Sequence, residues 1–94
     1  MPSAAARHIL VKTEQEARDL KTRIDKGEDF GAIAKKVSLC PSGKGGGSLG
    51  TFSRGDMVPE FDRVVFGDLP LNATSEPVKT QFGYHLIQVT QRMA

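Results

Sequence analysis

Residues 78–92 read VKTQFGYHLIQVTQR. Two runs of strand-forming residues, 78–80 and 84–92, flank a turn at Gln81-Phe82-Gly83. Side chains alternate along a strand, so His85, Ile87 and Val89 share one face of the longer run. Tyr84, Leu86 and Gln88 share the other. Two strands joined by so short a turn pair antiparallel, because a parallel return needs a long crossover. This ending favours an α+β domain with a mainly antiparallel sheet over a doubly wound α/β one.

The rest of the chain supplies partners for that hairpin. ARHILVK (6–12) reads as a first strand with apolar residues on both faces, which predicts a central position. His8 and Leu10 lie on one of those faces, Ile9 and Val11 on the other. Residues 13–27 read as a helix: Thr13 and Glu16 have capping-box spacing, and Ala17, Leu20 and Ile24 form an apolar stripe. Glu14–Arg18 and Asp19–Arg23 are spaced as i,i+4 ion pairs, and Gly27 suits a helix stop. A second helix is predicted over 28–38, capped by Asp29, with Phe30, Ile33, Ala34 and Val37 buried. Residues 49–55 read as a short strand. Residues 56–67 read as a helix capped or preceded by Asp56, with Pro59 in its first turn and Phe61 and Val65 one turn apart. Residues 68–77 read as a loop.

The 94 residues form a single domain, 1–94, with no linker or internal repeat. With 38% hydrophobic and 26% charged residues the composition is globular. The net charge of +2 mixes both signs, and no aromatic residues interleave with basic ones, so no nucleic-acid partner is expected. No run approaches the ~20 apolar residues of a membrane span, and no membrane partner is expected. A single cysteine allows no intramolecular disulfide, and the N-terminus lacks the pattern of a signal peptide. The expectation is a soluble, cytoplasmic monomer.

Three apparent motifs fail on context. Gly45, Gly47 and Gly50 fit a dinucleotide-binding pattern, but a helix precedes them and a strand follows, the reverse of the order that brings phosphate to a helix N-terminus. Asp29-Phe30-Gly31 sits in a chain far too short for a kinase. One cysteine and two distant histidines make no metal cluster, so neither metal nor cofactor is expected.

Two constellations remain. His8 lies on the first strand and His85 on the last, and strands from the two chain ends often pair in a small sheet. Two imidazoles buried in contact need a partner at each nitrogen, and Thr80 is a candidate. Cys40 beside them is either a thiol or a thiolate, depending on local charge. Leu49, Met57, Phe61 and Phe82 lie near element ends beside glycines, where apolar residues either wall a pocket or fill ordinary core.

The blocks HILVK, DFGAIAKKVSLCPSGKGGGSLGTFSRGDMVPEFDRVVF and EPVKTQFGYHLIQV resemble the parvulin-type peptidyl-prolyl cis/trans isomerases, most closely the small stand-alone bacterial ones. The resemblance runs from about residue 6 to 92. It implies a four-stranded, mainly antiparallel sheet wrapped by about four helices, parvulin/FKBP-like, with the active groove on its concave face. It implies catalytic roles for His8, Cys40, Thr80 and His85, and a proline pocket made by Leu49, Met57, Phe61 and Phe82. The implied partners are proline-containing polypeptide clients.

Phosphorylation-directed parvulins carry a basic cluster after the first strand. Here that loop is short and holds Lys12 without an arginine cluster, so no phospho-specificity is expected. A non-catalytic peptide-binding chaperone or targeting module is the alternative. A thiol hydrolase built on Cys40 lacks an evident oxyanion site.

Overall fold

A computed structural model describes residues 2–93. Strand β1 (Ser3–Val11) leads into helices α1 (Glu14–Asp25) and α2 (Phe30–Val37). A short 3-10 turn (Pro41–Gly45) precedes strand β2 (Ser48–Ser53) and helix α3 (Pro59–Val65). Strands β3 (Val78–Thr80) and β4 (Gly83–Met93) close the chain. The four strands form one antiparallel sheet in the order β2-β1-β4-β3. The expected α+β class, the antiparallel sheet and the central place of β1 all hold.

The alternation of β1 and β4 divides the core into two layers. Ile9, Val11 and Leu86 pack under α1 and α2 against Ala17, Leu20, Phe30 and Ile33. Ala4, Ala6, Ile87 and Val89 pack on the opposite face with Phe52, Phe61 and Val65. Each helix therefore shields one side of a sheet whose central strands are apolar on both faces.

The helix starts follow their capping chemistry. Thr13 accepts from the Glu16 amide at 3.2 Å, and Asp29 accepts from the Ala32 amide at 2.8 Å. Four local expectations are corrected. Arg23 pairs with Glu28 rather than Asp19, which instead accepts from Gln15, because the chain turns at Gly27 and brings Glu28 back onto the last turn of α1. Val37 is 39% exposed, since it closes α2 beyond the edge of the packed layer. Helix α3 begins three residues later than expected. Asp56 accepts from Ser53 in the preceding turn, and Val58 holds the N-cap position before Pro59. β1 starts at Ser3, three residues early, because β4 extends far enough to pair with it there.

Two glycines are required by close approach. Gly47 has φ +86°, and a Cβ there would run into the carbonyl oxygen of His8, whose amide donates to Gly47 O at 3.0 Å. Gly83 has φ +137° and lies equally tight on the carbonyl of Val11. The loop carrying the cysteine is thus pinned flat against the strand carrying His8.

Candidate active site

The register of β1 and β4 places Leu10 opposite His85 and Ile87 opposite His8. The two histidines are therefore diagonal neighbours on one sheet face, within reach of each other's rings. Their planes lie 13° apart with centroids 5.1 Å apart, and their Nδ1 atoms are 2.9 Å apart. Both are buried. Phe61, from α3, meets both edge-on, at 5.6 Å from His8 and 5.9 Å from His85.

A continuous series of hydrogen bonds passes through the pair. The Phe82 amide donates to Thr80 Oγ1 at 3.1 Å, and Thr80 Oγ1 lies 2.8 Å from His85 Nε2. At the other end His8 Nε2 lies 3.1 Å from Ser42 Oγ, which donates to Cys40 Sγ at 3.3 Å. Counting hydrogens selects one direction. If Ser42 donates to sulfur, His8 Nε2 donates to Ser42, and the bare His8 Nδ1 accepts from His85 Nδ1. The bare His85 Nε2 then accepts from the Thr80 hydroxyl, and every hydrogen is used. In the reverse direction Thr80 Oγ1 accepts twice, and its hydroxyl hydrogen has no acceptor among the described residues. Leaving a buried donor unpaired costs about 1–3 kcal/mol, so the first direction prevails.

Both imidazoles are held neutral. Burial, with a smaller contribution from the neighbouring His85, pushes the pKa of His8 down to about 4. Burial lowers His85 as well, partly opposed by the carboxylate of Glu60. A neutral pair suits the single hydrogen shared between two Nδ1 atoms, since two imidazoliums would set two hydrogens against each other.

Above this polar floor lies a groove of about 440 Å³. Seven of the eight residues singled out in the sequence line it: His8, Cys40, Leu49, Met57, Phe61, Phe82 and His85. Thr80 does not line it and sits behind His85 as its hydrogen-bond partner. Phe61 is the buried base, whereas Phe82 is 61% exposed and forms a lip. Sequence reasoning missed Leu10, Leu39, Pro41 and Val58 in the walls, and Ser42 in the relay. Leu10 carried a signal, because it shares a strand face with His8. Ser42 carried none, since its place beneath the groove depends on the 3-10 turn that follows Cys40.

The site has an apolar wall and a neutral hydrogen-bonded floor. Among the described residues no hydrogen bond joins Cys40 directly to either imidazole. Ser42 stands between them as a donor to sulfur, so the thiol lacks the adjacent base that an activated nucleophile needs.

Comparison with known proteins agrees with this geometry. A family model described as rotamase, PPIC-type PPIASE domain, matches residues 3–91. The foldase protein PrsA of Geobacillus sp. (strain WCH70) is 48% identical over 92 residues, which cover 97% of this chain and 33% of that protein. The crystal structure of the peptidylprolyl isomerase PrsA from Bacillus anthracis matches with a TM-score of 0.94 at 38% identity, covering 99% of this chain and 43% of that one. The solution structure of NmPin, the parvuline of Nitrosopumilus maritimus, matches with a TM-score of 0.85 at 37% identity and covers 97% and 98% of the two chains. The chain thus spans about a third of the length of its PrsA relative and nearly all of the small parvuline. With a family model spanning almost every residue, and the paired histidines lying beneath an apolar groove, this chain belongs to the PPIC-type peptidyl-prolyl isomerase family, the parvulins.

Proposed function

We propose that this chain catalyses cis/trans isomerisation of X–Pro bonds in unfolded or partly folded polypeptides, without a requirement for phosphate. The observation that carries the proposal is the Thr80–His85–His8–Ser42 relay directly under an apolar groove. Family membership supports it, and so does the absence of an arginine cluster in the short turn between β1 and α1.

Rotation about an X–Pro bond crosses a barrier of about 20 kcal/mol, because twisting destroys amide resonance. Catalysis requires the site to favour the twisted amide over both planar forms. The planar amide is the more dipolar, so removing water raises it relative to the twisted state. Leu49, Met57 and Phe61 grip the proline ring, and Phe82 and Leu39 close over the neighbouring chain. The neutral histidine pair keeps the floor rigid without placing a charge beneath the amide. Cys40, its sulfur occupied as acceptor by Ser42, has its own hydrogen free for the groove. It acts as a local donor or dipole near the carbonyl rather than as an attacking thiolate.

The test is refolding of a proline-limited protein together with a peptide assay. Acceleration by substoichiometric amounts of the chain is expected. Suppression of aggregation only at stoichiometric amounts would instead select the holding-chaperone reading, which the exposed Leu39 and Phe82 favour. Equal rates for peptides with serine, glutamate or phosphoserine before proline are expected, and dependence on phosphate would overturn that part.

Action as a cytoplasmic monomer belongs to the same proposal. The single cysteine and the mixed-charge composition support it. Cell fractionation and sedimentation analysis test it.

A further inference from the structure

A second cleft, of about 450 Å³, opens on the other face of the sheet. Strand alternation links it to the groove: Leu49 of β2 faces the proline groove, while its neighbours Ser48 and Gly50 line the second cleft. Its other walls include Arg7 of β1, Asp29 at the N-cap of α2, Lys35 within α2, and Gly46.

Arg7 is held in a prepared position. Its Nε donates to Gln88 Oε1 at 2.8 Å, Gln88 in turn donates to Thr74 at 2.8 Å, and the guanidinium lies over the ring of Phe30 at 4.9 Å. Among the described residues its terminal Nη donors have no acceptor, and Lys35 has no ion-pair partner. Asp29 is the one carboxylate in the lining, and its Oδ2 is occupied with the Ala32 amide. Along the chain, residues 30–55 hold Lys35, Lys36, Lys44 and Arg54, four of the 13 basic residues, and none of the 11 acidic ones, and Lys35 is the one of these four that lines the cleft. Surface cations without internal partners, one of them fixed by a buried network, attract carboxylates.

We propose that this cleft is a second subsite for the client polypeptide, taking acidic side chains roughly three to five residues away from the isomerised proline rather than next to it. An extended chain leaving the groove passes over the edge strand β2, and at about 3.3 Å per residue needs roughly three to five residues to reach the other face. The inference rests on the isomerase reading above and names the client class that the same domain prefers.

The test uses peptides with a Leu–Pro core carrying three glutamates or three glutamines roughly three to five residues from the proline, on one side or the other, together with the unflanked core. Glutamate on one side is expected to raise kcat/KM about five- to tenfold over glutamine at low ionic strength, with the advantage lost near ~0.5 M salt. Lys35→Glu, at an exposed and unpaired position, should abolish or reverse that preference while leaving the unflanked peptide unaffected. Arg7→Lys keeps the charge but not the fixed fork, and should lower the preference in part. Backbone amide shifts at Gly46 and Ser48 on adding the glutamate peptide provide a readout independent of turnover. An unchanged glutamate-to-glutamine ratio in Lys35→Glu, or amide shifts confined to the proline groove, would overturn the subsite. So would Lys35-dependent binding to phosphatidylglycerol vesicles without any peptide preference, which would assign the surface to lipid. Failure to isomerise even the unflanked peptide would remove the enzymatic reading, while the amide shifts still decide the cleft.

Discussion

The two clefts flanking β2 are nearly equal in size, about 440 and 450 Å³, and opposite in chemistry. The groove above the histidines is walled by leucine, methionine and phenylalanine, and its imidazoles are hydrogen-bonded beneath the surface. The second cleft is walled by glycine, alanine, small hydroxyl residues and charge, and among the described residues the terminal donors of Arg7 and the ammonium of Lys35 have no internal acceptor. An apolar site gains from expelling water, so its polar atoms must be paired internally. A charged site works by offering unpaired donors to whatever arrives. One edge strand, alternating Ser48, Leu49 and Gly50, contributes to both.

That contrast can be broken from the apolar side first. Phe61 is 3% exposed and packs edge-on against both imidazoles and against Phe52. Phe61→Ala should cost about 3–5 kcal/mol of stability and remove most of kcat/KM. Phe61→Leu restores volume without the ring edge and should recover much of the stability. Urea denaturation and the peptide assay read the two effects separately, and near-normal turnover in Phe61→Ala would refute its place in the pocket.

The relay comes next. Thr80→Val removes the donor to His85 Nε2 and the acceptor of the Phe82 amide in one change. About 1–3 kcal/mol is expected, along with a fall in kcat/KM of roughly tenfold, since 1.4 kcal/mol is a factor of ten. Thr80→Ser should preserve both values, because the hydroxyl is what the relay uses. If Val and Ser behave alike, the relay has no functional weight.

Acidification probes the same network. His8 titrates at about 4 in the folded chain against 6.5 for the ordinary group, and His85 is lowered too. Between those values the unfolded chain binds protons that the folded chain refuses. The contribution is therefore complete above about pH 6.5 and is lost as pH falls toward 4. Urea midpoints measured across that window should drop in the wild type. The drop should be shallower in a His8→Gln, His85→Gln double variant, and parallel slopes would mean that the pair does not titrate as described.

The smallest effect on stability belongs to the charged side. Lys35→Gln touches no internal partner and should change stability by less than about 0.5 kcal/mol. Its consequence should appear only in the preference for acidic flanks, and a loss of stability like that of Thr80→Val would show that the two sides are not independent.

Legibility in the sequence followed the range of the interactions. The hairpin at 78–92, the cap residues Thr13 and Asp29, and the apolar stripes were readable because strand alternation and helix capping act over one to four residues. The Asp19–Arg23 pair failed although its spacing was right, because a nearer competitor, Glu28, is brought in by the turn at Gly27. Asp56 failed as a cap for a similar reason: its carboxylate is occupied in the preceding turn. The histidines were readable as candidates and Thr80 as their partner. Ser42 was not, because its meeting with His8 spans 34 positions and depends on the 3-10 turn.

The order and type of the elements, the antiparallel class, the apolar character of the groove residues and the parvulin resemblance were legible in the chain alone, although the starts of β1 and α3 were not. These follow from local conformational preference and from the types of side chain present. That His8 and His85 lie diagonally across the β1–β4 register, and that hydrogen counting runs from Thr80 toward Cys40, emerges from the folded arrangement. So does the separation by β2 of an apolar groove from a cationic cleft. Register and hydrogen-bond direction are properties of several strands and loops at once, and no single segment of chain carries them.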